Sequence, residues 1–216
     1  MTEPLVLPLG ESALTIRLGD VASVENSERA AALAEVIRRA GIDGVREVVS
    51  AVASVTVYYE GRSAKSDVRS AKLRAFVAQL PSMAASTAAF ATHSIPTRYD
   101  GADLDEVASR VGLSRDEVVR RHAAGEYHVL AIGFLPGWAY LGPLDPSLSL
   151  PRRSTPRTRI PAGAVAIMGA QTGIYPRVSP GGWNLIGSTG VVLFDANRDR
   201  PSLFHAGDRV RFTPVA

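Results

Sequence analysis

The sequence predicts two domains of different fold class: an α+β domain of ferredoxin-like type at residues 1–80 and a mostly-β domain at residues 93–216, joined by a linker at residues 81–92. Strand and helix patterns alternate in the first part, which is typical of an α+β domain. Residues 133–189 are rich in glycine, proline and aromatic residues. The glycine and proline pairs in this stretch predict tight turns between short strands. The linker is predicted because its residues are mostly small and uncharged.

The predicted first domain has the order strand, helix, strand, strand, helix. Its strands are two short apolar runs within residues 4–18, divided at Gly10-Glu11, followed by residues 45–49 and 54–59. Its helices have apolar residues at spacings of three and four. The first begins at an N-cap Asn26 or Ser27 and ends at Gly41, and the second covers residues 66–80. This order predicts the ferredoxin-like type, and it contains no catalytic motif.

The predicted second domain combines many short strands with two early helices. Besides the short strands within residues 133–189, its strands are residues 94–99, 127–134, 190–195 and 206–213. Its helices are residues 104–111 and a helix that begins at Ser114, where Ser114 and Glu117 form a capping box. A closed barrel or a sandwich removes the exposed edges of such a sheet, so we expect one of these two architectures.

Composition excludes several kinds of protein. The chain of 216 residues has no cysteine, which excludes disulfides, thiolate metal sites and cysteine nucleophiles. The N-terminus has no signal-peptide pattern, and no apolar run approaches the roughly 20 residues of a membrane span. Net charge is only +3, with two lysines against 22 arginines, which is too little to predict nucleic-acid binding. We therefore expect a cytoplasmic protein that binds neither a membrane nor nucleic acid.

The segment between Pro146 and Phe194 is positively charged. It contains five arginines but no aspartate, glutamate or histidine. Guanidinium groups bind carboxylates and phosphates through paired hydrogen bonds, whereas general acid–base catalysis usually needs histidine or a carboxylate. The segment therefore predicts a partial site, whose base comes from elsewhere in the chain or from another subunit. The five arginines are Arg152, Arg153, Arg157, Arg159 and Arg177.

His122 has two competing interpretations. It follows Val118 by four residues and so lies on the same helix face. We interpret it as a helix-end histidine that packs at the domain rim or interacts with the helix C-terminus, with proton transfer as the alternative. No two histidines have the spacing of metal ligands, so no metal site is predicted. No catalytic residue is assigned.

Six motifs in the second domain carry a resemblance to a known family. They are residues 133–141 (GFLPGWAYL), 151–153 (PRR), 156–157 (PR), 161–163 (PAG), 169–176 (GAQTGIYP) and 179–187 (SPGGWNLIG). With these motifs the chain resembles the B subunit of the bacterial ATP-dependent 5-oxoprolinase, a family also called KipI-like or allophanate hydrolase subunit 1, with carboxyltransferase subdomains C and D. The resemblance implies an N-terminal α+β domain and a C-terminal cyclophilin-like β-barrel. Two positions depart from the family pattern: Trp138 stands where phenylalanine is common, and Tyr99-Asp100-Gly101 replaces Tyr-Gly-Gly.

The resemblance implies a non-autonomous subunit of a heteromeric enzyme that converts 5-oxo-L-proline to L-glutamate at the expense of ATP. Its implied partners are a second cyclophilin-like subunit (the 5-oxoprolinase C subunit, or KipA-like) and a third 5-oxoprolinase subunit. The chain has no P-loop pattern. ATP is therefore expected to bind to the assembled complex and not to this chain alone.

The resemblance also implies a substrate-binding surface. In it, Arg152 and Arg157 would hold a carboxylate or phosphate, and Gln171 and Thr172 would hydrogen-bond an amide. The aromatic residues would wall an apolar pocket, which two glycines would let the backbone approach. In the alternative interpretation the glycines and prolines only shape turns and the aromatics only fill a core. The whole set is Phe134, Pro136, Gly137, Trp138, Tyr140, Arg152, Arg157, Gln171, Thr172, Tyr175, Pro180, Gly181, Gly182 and Trp183, together with His122.

Two other functions stay open. One is a regulatory protein that inhibits a sensor histidine kinase, as the KipI name implies. The other is a subunit of an allophanate or urea-related amide hydrolase. An enzyme subunit and a regulator would both use an exposed apolar face of the barrel that bears arginines, so the sequence alone does not separate them.

Overall fold

A computed structural model describes residues 4–60 and 90–216. The chain divides into two compact units, Met1–Ala89 and Phe90–Ala216, and each is described by itself. The predicted helix at residues 66–80 and the linker residues 81–89 lie outside the described residues. The predicted linker is too long at its end, because Thr92 is already the first residue of a strand.

The first unit contains one antiparallel sheet and, in its described part, one helix. The elements are β1 (Leu5–Leu9), β2 (Ala13–Arg17), α1 (Val24–Arg39), β3 (Val45–Ser50) and β4 (Ser54–Tyr59). The strands lie in the order β1-β2-β4-β3. Helix α1 packs its apolar residues against one face of this sheet, where Leu14, Ile16 and Val57 are buried.

Helix α1 begins earlier than the sequence predicts. Its N-cap is Ser23, whose hydroxyl oxygen accepts a hydrogen bond from the Asn26 N–H at 3.1 Å. The prediction of Asn26 or Ser27 as the cap was therefore wrong. The apolar spacing starts only after the first turn, and that turn needs polar capping groups and no apolar residue. The predicted glycine stop agrees with the structure, since Gly41 follows the helix in the left-handed region with φ 56°.

The described residues do not confirm the ferredoxin-like type. Strands β2, β4 and β3, with α1 between β2 and β3 in sequence, have the arrangement of a split β-α-β unit. However, β1 precedes β2 and pairs with it as a hairpin, with Gly10 at φ 63° in the connection. A ferredoxin-like chain has the order β-α-β-β-α-β, in which the first strand leads directly into a helix.

The second unit is mostly β, as predicted, with few helices. Its elements are β5 (Thr92–Thr97), α2 (Leu104–Val111), α3 (Arg115–Ala124), β6 (Tyr127–Ile132), β7 (Ala139–Gly142), a 3₁₀ turn (Pro146–Leu148), β8 (Arg157–Ile160), β9 (Ala164–Met168), β10 (Gln171–Ile174), β11 (Ser179–Gly181), β12 (Asn184–Ser188) and β13 (Arg209–Pro214). Helix α2 has the predicted bounds. Ser114 caps α3 as predicted, because its hydroxyl oxygen accepts a hydrogen bond from the Glu117 N–H at 3.1 Å.

Seven strands of this unit form a nearly closed, barrel-like sheet. Their order is β12-β9-β10-β7-β6-β13-β5, and only β5 and β13 are parallel. The two outer strands are joined where Arg98, just after β5, forms an antiparallel bridge with Ser188 of β12. The Arg98 N–H donates to the Ser188 carbonyl at 2.9 Å, and the Ser188 N–H donates to the Arg98 carbonyl at 2.7 Å. Of the two architectures expected from the sequence, the structure therefore has the barrel-like one. Strands β8 and β11 form a separate two-stranded sheet.

The two faces of the barrel-like sheet carry different cores. Side chains alternate between the faces along each strand. In β9, Val165 and Ile167 belong to the larger core, which includes apolar residues of α2 and α3. Ala164 and Ala166 belong to a second core on the other face, whose largest side chains are aromatic. The expected site residues divide between these two faces.

The predicted strand at residues 190–195 was wrong. Leu193 is buried, but Val192 and Phe194 face solvent, and Phe194 makes one isolated bridge, with Ser202. The sheet edge that a further strand would extend is already joined by the bridge after β5, so this apolar run forms a loop. The predicted strand at residues 127–134 ends at Ile132, because the chain turns there.

Candidate functional site

Four of the expected residues form an aromatic cluster. Trp138 lies at its centre, with ring centroids 4.8 Å from Tyr175, 5.0 Å from Trp183 and 5.8 Å from Tyr140. Trp138 and Tyr175 are each 1% exposed. The Trp138 ring packs closely against the backbone of Gly173, since a Cβ at that position would lie 3.0 Å from the ring. The aromatic residues therefore form a core, as in the alternative interpretation, and only Tyr140 remains partly exposed at its edge.

Phe134 is the exposed aromatic residue beside this cluster. Its ring is 60% exposed and packs edge-on against Trp138 at 5.6 Å. Its φ is 67°, a left-handed conformation that is rare for a bulky residue. Gly137 follows with φ 82°, and a Cβ there would lie 2.7 Å from Phe194. The turn thus holds an aromatic ring in solvent at a conformational cost, which is a common feature of functional loops.

The two expected glycines, Gly181 and Gly182, lie directly against side chains of the same chain. A Cβ on Gly182 would lie 2.6 Å from the Arg152 Nε, so the Arg152 side chain lies directly over Gly182. A Cβ on Gly181 would collide with the Tyr175 hydroxyl. These glycines therefore let side chains of the same chain approach the backbone. Pro136 and Pro180 are exposed near these turns.

Arg157 differs from expectation, because its guanidinium binds an acid of the same chain. It donates to both oxygens of Asp103, at 2.8 and 2.6 Å. Arg153 donates to Asp103 at 2.9 Å and to Glu106 at 2.9 Å, and this hydrogen bond lowers the pKa of the Glu106 carboxyl. The arginine segment itself contains no acid, but α2 supplies two. Arg157 is thus not open to a ligand carboxylate, whereas Arg152 is exposed.

Asp103 is the important residue that sequence reasoning missed. It is 2% exposed and stands at the N-cap of α2, yet its side chain makes no capping hydrogen bond. Its carboxylate instead accepts hydrogen bonds from the two arginines and from the Leu185 backbone N–H at 2.7 Å. The available signal was an aspartate just before a predicted helix, in a domain whose arginines lacked nearby acids.

His122 is fully buried in the larger core, so the prediction of a position at the domain rim was wrong. Its Nδ1 lies 2.8 Å from the Tyr99 hydroxyl and its Nε2 lies 2.9 Å from the Thr172 hydroxyl. The Thr172 hydroxyl donates to the Ala166 carbonyl at 2.9 Å, so it accepts from His122 Nε2–H, and the Tyr99 hydroxyl donates to Nδ1. Burial lowers the pKa of His122 to about 3. His122 is therefore a neutral core histidine.

Gln171 and Thr172 do not act together, because they are adjacent in β10 and point to opposite faces. Gln171 pairs with Met168 across the sheet and is partly exposed on the aromatic side. Thr172 is buried beside His122. The structure thus brings together Phe134, Trp138, Tyr140, Arg152, Gln171, Tyr175, Gly181, Gly182 and Trp183 around one face of the sheet, and places His122 and Thr172 on the other.

The described ranges contain no group of three histidine or acidic side chains placed to hold a metal ion. Asp208 lies 3.1 Å from His93 Nε2 and 3.7 Å from His205 Nδ1. Its carboxylate also accepts hydrogen bonds from the backbone N–H groups of Ala91 and His205, so it fixes the turn before β13 to the start of β5. Within residues 4–60 and 90–216, no helix is long and apolar enough to cross a membrane.

Known proteins resemble this chain over most of its length. A family model described as carboxyltransferase domain, subdomain C and D, matches residues 4–204. The 5-oxoprolinase B subunit of Bacillus subtilis (strain 168) is 36% identical over 219 residues, which cover 96% of this chain and 91% of that protein. The 5-oxoprolinase B subunit of Escherichia coli O157:H7 is 52% identical over 123 residues, 56% of each protein. The chain thus matches about half the length of this last relative.

Other relatives are longer than this chain. The crystal structure of TTHA0988 superposes with a TM-score of 0.84 at 42% identity, over 94% of this chain but 40% of that one. The urea amidolyase of Saccharomyces cerevisiae is 34% identical over 123 residues, 53% of this chain and 7% of that protein. Since the family model and the Bacillus subtilis protein both match nearly the whole sequence, this chain belongs to the family of the carboxyltransferase domain, subdomain C and D, together with the B subunits of 5-oxoprolinase.

Proposed function

We propose that this protein is a non-autonomous subunit of a heteromeric, ATP-hydrolysing 5-oxoprolinase that converts 5-oxo-L-proline to L-glutamate. The observation that carries the proposal is the 36% identity to a 5-oxoprolinase B subunit across 96% of this chain and 91% of that protein. Hydrolysis of the ring amide adds one water across its C–N bond and opens the ring. Because the proposed reaction depends on ATP, we expect the assembly to work in the cytoplasm.

The chemistry of the surface supports a partial site. Around the aromatic cluster, the exposed groups are the Arg152 guanidinium and the Phe134 ring, and the partly exposed groups are the Gln171 amide and the Tyr140 ring. These groups can bind an anionic amide, but none of them is a general base near neutral pH. Because His122 is buried and neutral, the proposed base and the ATP site belong to a partner.

The proposed partners are a second cyclophilin-like subunit and a third 5-oxoprolinase subunit. We infer that the barrel-like sheet of this chain is itself cyclophilin-like and pairs with the second cyclophilin-like subunit. The length of TTHA0988 is the observation that bears on a partner, because this chain accounts for only 40% of that chain. In that protein additional polypeptide is covalently joined to the matching part. Here the proposed counterpart is a separate chain.

Reconstitution tests this proposal. The purified chain alone is expected to hydrolyse neither ATP nor 5-oxo-L-proline, and glutamate and ADP are expected to form together when both partner subunits are added. Turnover by the isolated chain would contradict the non-autonomous role. An inactive complete mixture would contradict the substrate.

A urea-related amide chemistry is the second candidate, and the 34% identity to a urea amidolyase over 53% of this chain favours it. That match covers only 7% of the amidolyase, so it concerns one module of a larger enzyme. The same reconstituted mixture distinguishes the two, because ammonia released from allophanate or urea would replace glutamate as the product. If a sensor histidine kinase copurifies in place of the partner subunits, the regulatory function is supported.

A further inference from the structure

We propose that Asp103 is a positioning residue that binds Arg153 and Arg157 in a fixed frame and leaves Arg152 as the guanidinium that receives the carboxylate of a small cyclic amide. This inference rests on the proposed function, in which that ligand is 5-oxo-L-proline. It separates three arginines of one segment into two kinds, which their sequence does not distinguish.

The first step concerns the capacity of the Asp103 carboxylate. It accepts two hydrogen bonds from Arg157, one from Arg153 and one from the Leu185 N–H, at 2.6 to 2.9 Å. An ionised carboxylate has about four acceptor positions, so these donors occupy all of them. A ligand carboxylate that captured Arg157 would leave the 2%-exposed Asp103 charge without its main partner, which is strongly unfavourable. Arg157 and Arg153 therefore stay bound to Asp103, and these three residues form the Asp103 frame.

The second step concerns the backbone on either side of Arg152. The Pro151 carbonyl accepts a hydrogen bond from the Asn184 side-chain amide at 3.2 Å. The Arg153 N–H donates to the Gly182 carbonyl at 2.8 Å. Arg152 thus lies between two residues that are tied to the turn before β12 and to β12 itself, while the Asp103 frame holds the Arg153 side chain to α2.

The third step concerns the Arg152 side chain. It is exposed, and in the part of the chain that the structure describes the ion pairs of this segment belong to Arg153 and Arg157 and not to Arg152. It lies over Gly182, next to Gly181, on which a Cβ would meet the Tyr175 hydroxyl. A guanidinium whose stem is already fixed loses little conformational freedom when it binds a carboxylate. The ligand that fits it carries one carboxylate.

Steady-state kinetics of the reconstituted assembly test the inference through a double-mutant cycle. We expect Arg152→Gln to raise KM for 5-oxo-L-proline by about 10- to 100-fold, the usual loss for a hydrogen bond to a charged group, without changing KM for ATP. Asp103→Asn should raise the same KM by about 10-fold in the presence of Arg152 and less than about 2-fold in the Arg152→Gln background, because coupled residues are not additive. A purely structural role of Asp103 would instead make the effects of the two substitutions on KM additive.

The matched control is Arg200→Gln, which removes an exposed arginine of the same unit outside the charged segment and should leave KM unchanged. An active assembly in which Arg152→Gln keeps the wild-type KM, or in which the two substitutions act additively, would overturn the inference and leave the proposed function standing. An inactive wild-type assembly would instead overturn the proposed function and, with it, the inference that rests on it.

Discussion

At the scale of single residues, His122 makes the stability of the second unit depend on pH. Burial holds its pKa near 3 in the folded state, whereas an unfolded histidine titrates near 6.5. Between these values the unfolded chain binds more protons, so stability is fully present above pH 6.5 and is lost as the pH falls toward 3. The slope from this one group is at most about 1.4 kcal/mol per pH unit.

The prediction is tested by comparing the wild type with His122→Gln, which keeps a donor for Thr172 but cannot titrate. We expect the variant to be less stable at pH 8, because Tyr99 loses its imidazole acceptor, and the stability difference to shrink as the pH falls from 6.5 toward 3. The measurement is urea unfolding at several pH values. Parallel pH profiles of the two proteins would contradict the assignment of a buried neutral imidazole.

Gly101 gives a second prediction at this scale. A Cβ there would overlap the backbone of Ile186 and Gly187 in β12, and a backbone cannot move aside as a side chain can. We expect Gly101→Ala to destabilise the second unit by about 1–3 kcal/mol or more, measured as a fall in Tm. The matched control is Gly190→Ala, because a Cβ there meets open space. Equal Tm values for the two variants would contradict a close contact between residue 101 and the β12 backbone.

At the scale of secondary-structure elements, one carboxylate joins α2, β8 and β12. Asp103→Ala would leave the partly buried Arg157 without its acid and Arg153 with Glu106 alone, and the loss of one partner of a buried ion pair typically costs about 3–5 kcal/mol. Asp105→Ala is the matched control two residues away. Its carboxylate is 81% exposed and pairs with Arg115, so we expect a change below about 1 kcal/mol. Urea unfolding of both variants measures the difference, and similar losses would contradict the central role of Asp103.

Local sequence signals predicted elements well where the chain itself supplies the partner groups. Helix α2 and the Ser114 cap were predicted correctly because capping residues and apolar spacing act within one turn. The strand predicted at residues 190–195 failed because strand formation needs a free neighbouring edge, and the bridge between Arg98 and Ser188 already joins the edges of the sheet. Apolar composition does not report which edges are free.

In the candidate site, too, local sequence signals do not predict contacts between residues that are distant in the chain. The aromatic residues of the motifs lie in one cluster and come from a continuous stretch of chain. Asp103 could not be paired with Arg157 from sequence, since 54 residues separate them and the pairing depends on how α2 lies against β12. The separation of Gln171 from Thr172 follows simply from strand alternation once β10 is known to be a strand.

At the scale of the whole molecule, each unit has its own core. Among the described residues, the buried cluster that includes Leu14 and Val57 is formed within the first unit, and the two clusters of the barrel-like sheet are formed by residues 95–212. The fragment 90–216 also contains both partners of the bridge that joins the sheet edges. At 127 residues it has the usual size of an independent domain. We therefore predict that this fragment folds alone.

The expected result is one cooperative thermal transition of fragment 90–216, followed by near-UV circular dichroism from the buried Trp138. The matched control is a fragment of residues 99–216, which lacks β5 and Arg98. In the full sheet, β5 pairs with β13 along its whole length and Arg98 joins the sheet edges. Without them, β13, which carries the buried Phe212, loses the strand that pairs with it. The resulting open sheet edge is prone to aggregation. We expect the shorter fragment to show no cooperative transition. A cooperative transition in both fragments would show that closure of the sheet contributes little to stability, whereas its absence in both would show that the second unit depends on the first.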